Sequence, residues 1–160
     1  MIKFKKNLTL TFILFVIISA LISAFIIQYG LDHKPCKLCL YERIPYFISI
    51  ILIVKILFYN KYEKITLLIL SGIFFLSFIL SFYHFGIEQG FFKESLACAT
   101  DPFSIDLTKE QLLKQLKQNV ISCKDVSFRV LGLSLATINA IFSLILSAIF
   151  AVIYFNYGKN

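Results

Sequence analysis

The sequence predicts an all-α membrane protein, a four-transmembrane-helix bundle with two extracytoplasmic cysteine-bearing loops. Three observations predict it. Only 16% of the 160 residues are charged while 59% are apolar types, against the roughly 25% charge of an ordinary soluble domain. The mean hydropathy is +0.83. The apolar residues also fall into four long runs separated by polar breaks, and all four cysteines lie in two of those breaks. A soluble chain of this length would need far more polar surface to cover its core. The length suits one domain.

The first span covers about 8–28, behind Lys3, Lys5 and Lys6. A signal peptide also begins basic and turns apolar, but its apolar core is about 7–15 residues. About 20 residues cross a bilayer, so a retained helix is expected. A polar loop at about 29–43 holds Pro35, Cys36 and Cys39. The second span covers about 44–59, with Pro45 in its first turn, where a missing N–H costs little. A charged turn through Lys64 leads to the third span, about 65–85. A long polar loop follows at about 86–129, and the fourth span covers about 130–154. Short connections favour an up-down bundle. Inside the long loop, Thr108 to Gln111 resembles a capping box. Leu112, Leu113, Leu116 and Val120 then share a face opposite Lys109, Lys114 and Lys117. That pattern fits a short amphipathic helix lying on the membrane surface, or one packed on the loop itself.

Such a topology puts both termini on one side of the membrane. The terminal side carries Lys3, Lys5, Lys6, Lys55, Lys61, Lys64 and Lys159 against the single acid Glu63. The cysteine side carries nine basic and eight acidic residues. Raw counts do not separate the sides, but density does, since long loops weigh little in the positive-inside rule. The termini are therefore expected in the cytoplasm. The net charge of +7 is read as topological, not as a nucleic-acid footprint, because the basic residues are scattered beside apolar runs.

An even number of cysteines on one face reads as two disulfides in an oxidising compartment. Closing the loop from Cys98 to Cys123 would contribute roughly 3.5 kcal/mol. The ring from Cys36 to Cys39 is too small to be a useful staple, whereas a closely spaced dithiol suits electron exchange. Pro35 ahead of Cys36 suggests a helical turn whose N-terminus would lower a thiol pKa. Arg43, four residues after Cys39, shares its face if the segment is helical. There it would stabilise a thiolate and donate to a carbonyl of a lipid-soluble acceptor. An interfacial anchor paired with Glu42 is the other reading of Arg43. His84 and Glu88 sit i, i+4 at the outer end of the third span, either functional or simply interfacial. Two other classes stay open at this point. One is a membrane protein with inert structural disulfides. The other is a metal- or haem-handling protein using Cys36, Cys39, His33 and His84, although this spacing lacks the paired pattern of structural zinc sites.

The stretch Cys36-Lys-Leu-Cys39-Leu-Tyr-Glu-Arg43 resembles the motif of the disulfide bond formation protein B (DsbB) family. Tyr83-His84-Phe85-Gly86-Ile87-Glu88 is similar to a segment in one bacterial branch of it. Cys123, Phe128, Leu131-Gly132-Leu133-Ser134 and Asn139 resemble its entry into the last span. The resemblance covers nearly the whole chain, which has no Trp, unlike many relatives. It implies a multi-pass protein of the bacterial inner membrane with periplasmic cysteine loops. It further implies a quinone-dependent thiol–disulfide oxidoreductase that reoxidises a thioredoxin-like oxidant of DsbA type, the route that keeps the bacterial periplasm oxidising. Cys98 would be attacked by that partner and Cys123 would resolve or rearrange the mixed disulfide. Cys36 would pass electrons inward, and Cys39 would deliver them to ubiquinone or menaquinone. Arg43, Cys39 and His84 would line the quinone site, with no metal required. A family member serving a dedicated partner remains an alternative.

Overall fold

The computed structural model describes residues 2–59, 62–93, 123–124, 128–130 and 132–156, with side chains from residue 7 onward. The element at 108–120 and Cys98 lie outside the described residues. The first helix, α1, is Ile2–Phe25, and a π-helical turn, Ile26–Gly30, prolongs it. There the Leu31 N–H donates to the Ile26 carbonyl, five residues back. A short helix, α2, is Lys37–Tyr41, and α3 is Ile44–Phe58. Glu42 and Arg43 between them keep right-handed helical dihedrals, so α2 leads into α3 with only a local break. Helix α4 is Glu63–Glu88 and α5 is Leu135–Asn156. A two-residue antiparallel pair, β1 Arg129–Val130 and β2 Leu133–Ser134, precedes α5.

Among the described residues, three segments are long and apolar enough to cross a membrane, Asn7–Gly30, Glu63–Glu88 and Leu135–Asn156. The expected second span is helical as predicted. Its 15 residues rise only about 22 Å at 1.5 Å each, short of the ~30 Å hydrocarbon core. The expected four-span count therefore does not follow from helix length. Two boundaries also move. Helix α4 runs on through Gly86 to Glu88, and a Cβ at Gly86 would fall 2.1 Å from the Phe92 ring. This glycine lets the ring pack against the helix rather than ending it. The last helix starts at Leu135, not near Val130. Gly132 turns with φ +84°, and the Ser134 hydroxyl accepts from the Thr137 N–H at 3.2 Å, an N-cap of the usual kind.

The core is a stack of helix stripes. Leu10, Ile13, Ile17 and Leu21 of α1 are buried with Tyr46, Ile53 and Ile56 of α3, Leu67, Leu70 and Phe74 of α4, and Leu146 and Phe150 of α5. Outward faces carry large apolar side chains, among them Phe12, Phe15, Ile51, Leu76 and Ile145. That pattern suits lipid, since a soluble monomer rarely shows so extended an apolar surface. Helices α4 and α5 are the most closely packed pair and run antiparallel. Ser71 and Ser147 each donate to the other's carbonyl, at 3.1 and 3.0 Å. One turn on, the Ser77 and Ser143 hydroxyls meet at 3.1 Å. Small hydroxyl side chains let helix backbones approach closely where no hydrophobic force drives association. This pair is the frame on which His84 and Asn139 are carried.

Candidate functional site

Cys36 is the N-cap of α2. Its backbone is extended, and its sulfur accepts from the Cys39 N–H at 3.2 Å. The one-turn helix brings the two thiols together, with Sγ atoms 2.6 Å apart. Both are free thiols, Cys36 buried and Cys39 partly so. Across the bundle, His84 comes down from α4 and sets Nε2 3.5 Å from Cys36 Sγ. Its Nδ1 lies 2.8 Å from Glu42 Oε1. Asn139 of α5 donates to Glu42 Oε2 at 2.9 Å and to the Ser81 hydroxyl at 2.7 Å. The Tyr46 hydroxyl in turn donates to Asn139 Oδ1. A buried polar chain thus runs from the dithiol to the middle of the bundle, tying the α2–α3 segment to α4 and α5, which are distant in sequence. Glu88, one turn beyond His84, has Oε1 3.8 Å from His84 Nε2.

The arrangement divides the protons of the dithiol unequally. The hydrogen bond from the Cys39 thiol holds the Cys36 pKa far down, to about 5 against an ordinary 9.0. Burial opposes this, while the His84 ring and the Cys39 N–H reinforce it. Cys39 moves up, beyond the ordinary thiol range. It is the donor to Cys36, it is buried, and it faces the negative charges of Cys36 and Glu42. Thiolate is the attacking species in exchange. Of the two, Cys36 is thus the sulfur whose thiolate the surroundings favour. Sequence spacing suggested a thiolate at Cys39 beside Arg43. Arg43 instead donates through Nη1 to Gln28 Oε1 at 2.6 Å and lies over the Phe25 ring at 5.1 Å. Glu42 turns to His84 and Asn139, not to its neighbour Arg43. One expected outcome follows. Alkylation of Cys36 in the reduced chain should stay fast from pH 8 down to about 6 and fall off through about pH 5. Stopped-flow labelling followed by peptide mapping would check it. A midpoint near 9 would remove the thiolate assignment.

A cavity of about 460 Å³ opens beside these groups. Its walls are apolar, from Val16, Ala20, Ala24 and Ile27 on the first helix and its π turn, Phe128, and Ala136, Ile138 and Phe142 of α5. Cys36, Cys39, Glu42, Arg43, Tyr46, His84, Glu88 and Asn139 supply its polar edge. An apolar cleft of this size with a few convergent polar groups is what a ring-sized ligand requires. Cys123 lines the same cavity and packs with Cys36, Leu38 and Ile87 in one buried cluster. It is disulfide-bonded. So Cys36, Cys39, Cys123, Arg43 and His84 line one cavity, while His33 stands against Phe128, ring centroids 5.2 Å apart. Sequence reasoning gave Tyr46, Ser81 and Gln28 no role. For Tyr46 and Ser81 the signal that could have found them is a polar residue on the buried stripe of an otherwise apolar helix; Gln28 is half-buried at the end of the first span.

Residues 6–153 match the family model described as disulfide bond formation protein DsbB. An uncharacterized protein of Rickettsia prowazekii (strain Madrid E) is 31% identical over 145 residues, 89% of this chain and 84% of that relative. No solved structure matches the chain.

Proposed function

The chain belongs to the disulfide bond formation protein DsbB family, membrane proteins of disulfide formation, and from that premise we propose a specific relay. A reduced periplasmic thioredoxin-like oxidant of DsbA type is reoxidised, and its two electrons pass through two cysteine pairs to membrane quinone. The observation that carries the proposal is one cavity lined at once by the Cys36–Cys39 dithiol, by Cys123 and by Arg43 and His84. Quinone, ubiquinone or menaquinone, would act as a two-electron acceptor. The apolar walls suit its ring, and Arg43 and His84 on the polar edge would be the donors to its carbonyl oxygens.

A partner thiolate attacks Cys98 of a Cys98–Cys123 disulfide, and Cys123 leaves as a thiolate. The partner's second thiol then closes on the first, so the partner leaves oxidised and the loop pair stays reduced. The Cys123 thiolate, packed beside Cys36, attacks Cys36 of a Cys36–Cys39 disulfide and Cys39 leaves; Cys98 then closes on Cys123 and Cys36 leaves, so the loop disulfide is restored and the inner pair takes up the two electrons. That leaves the inner dithiol, with the Cys36 thiolate held by the Cys39 thiol and the His84 ring. Its reoxidation would give two electrons to the quinone and release the one proton of the Cys39 thiol, for which the His84–Glu42 pair would be the adjacent acceptor. All four cysteines would face the periplasm of a bacterial inner membrane with both termini cytoplasmic. In that topology α3, led in by α2, serves as the second of four crossings. A membrane-impermeant thiol reagent should then label the reduced cysteines in cells whose outer membrane alone is permeabilised. Labelling only after the inner membrane is opened would reverse the topology.

The decisive assay uses the purified chain, a reduced thioredoxin-like oxidant and a short-chain quinone, followed by loss of quinone absorbance. Arg43→Ala should raise the apparent quinone KM about 10- to 100-fold, the value of a charge-assisted hydrogen bond of roughly 1.5–3 kcal/mol. Lys at 43 should restore it only in part, because it lacks the planar fork. No quinone consumption by the wild-type chain would sink the proposal. An unchanged KM in both variants would return Arg43 to a purely structural bond with Gln28.

A further inference from the structure

We propose that Cys36, Cys39 and His84 also form a binding site for one soft divalent cation of the Zn²⁺ class, assembled only while the Cys36–Cys39 pair is in its dithiol state. The two sulfurs and the histidine nitrogen all lie within 4.8 Å of one another. In a tetrahedral site with Zn–S of about 2.3 Å and Zn–N of about 2.0–2.1 Å, ligand atoms stand roughly 3.5–3.8 Å apart. The edge from Cys36 Sγ to His84 Nε2 is already 3.5 Å. Cys39 Sγ, 2.6 Å from its partner, needs to move off by only about 1 Å to complete the face.

Two further features point to a ligand. His84 engages Glu42 through Nδ1, and Asn139 holds the far oxygen of that carboxylate. This is the carboxylate–histidine arrangement that fixes the ring of a metal-bound histidine and raises its basicity. It leaves Nε2 facing the sulfurs. Glu88 also lines the cavity. Its side chain is only 7% exposed, and its Oε2 is buried without a hydrogen-bond partner among the described residues. An unpartnered buried carboxylate oxygen costs free energy, and a cation bound beside His84 would give it one. Glu88 is thus the candidate fourth donor.

Binding exchanges the protons of the dithiol for the metal ion and moves no electrons. Disulfide formation removes both thiolates and so abolishes the site. The consequence, which rests on the relay reading, is that such an ion would hold the inner pair reduced and stop electron delivery until a chelator removed it.

The test is direct binding to the purified, full-length chain in detergent, with Co²⁺ as a probe read by thiolate-to-metal absorption and Zn²⁺ as competitor. Reduced wild type should bind one equivalent, and Cys98→Ser should do the same. Diamide-oxidised chain, Cys36→Ser and Cys39→Ser should each bind at least about 100-fold more weakly. Glu42→Gln should weaken binding by roughly 10- to 100-fold, as loss of an outer partner does. Equal binding by oxidised and reduced chain would overturn the proposal, as would binding that follows Cys98 and ignores Cys36. Because the measurement needs neither quinone nor partner, it separates the two readings. Quinone reduction without metal binding would dispose of the metal site alone, and metal binding without quinone reduction would dispose of the relay alone.

Discussion

A Cys123→Ser chain is expected to accumulate a covalent adduct with its thioredoxin-like partner, several-fold above the wild-type level. In the proposed relay Cys98 takes the partner's attack, and Cys123 is the sulfur that moves the reaction onward. Exchange requires a thiolate to reach a particular sulfur. Cys123 is positioned for that, only 2% exposed and packed in one cluster with Cys36. With serine in its place no loop disulfide can form, so the lone Cys98 thiolate attacks the disulfide of the oxidised partner, one partner thiol leaves, and no Cys123 thiol remains to displace the adduct. Acid-quenched, non-reducing gels would show the adduct, and reductant would dissolve it. A Cys98→Ser, Cys123→Ser double variant should show none. An adduct that survived without Cys98 and depended on Cys39 would reverse the order of the two pairs. Absence of any adduct from a folded chain would favour inert disulfides.

The second large effect is expected at Glu42. It is 6% exposed and accepts from both His84 and Asn139. Glu42→Ala strands two buried donors, and breaking a buried pair in this way costs about 3–5 kcal/mol. Glu42→Gln keeps the shape and one acceptor oxygen, so it should recover part of that loss. Unfolding of the detergent-solubilised chain would measure both. Asn139→Ala should be non-additive with Glu42→Ala, since the two share a bond. A Glu42→Ala chain within 1 kcal/mol of wild type would mean that water replaces the carboxylate freely, and the buried chain from Cys36 to Tyr46 would lose its standing as a unit.

The helices and the dithiol were legible in the sequence because each signal is local. An uncharged apolar run of about twenty residues has few alternatives to a helix, and Cys36, Cys39 and Arg43 lie within one short stretch. What was not legible is non-local or depends on close packing. Gly86 reads as a break until the Phe92 ring is seen against it. Val130 reads as a helix start until Gly132 and Ser134 are seen to turn and cap the chain. Glu42 looks like the natural partner of Arg43, yet three-dimensional neighbours outbid sequence neighbours for both. Asn139 showed only through family resemblance, because one amide in an apolar helix says nothing of which distant carboxylate it meets.

The π turn at Ile26–Gly30 acts as a phase shifter. An α-helix advances about 100° per residue, and a widened turn takes in an extra residue before the ladder resumes. Every side chain within and beyond it is therefore displaced around the axis relative to an uninterrupted helix. Gln28, which meets Arg43 at 2.6 Å, owes its bearing to that displacement. Deleting one residue in this turn would let the ladder close regularly and would swing Gln28 about a quarter-turn away from the cavity. The guanidinium would then lose its tether with no change to any residue that touches sulfur. The rim of the cavity is in this sense set by the counting of residues in the first helix as much as by their identity.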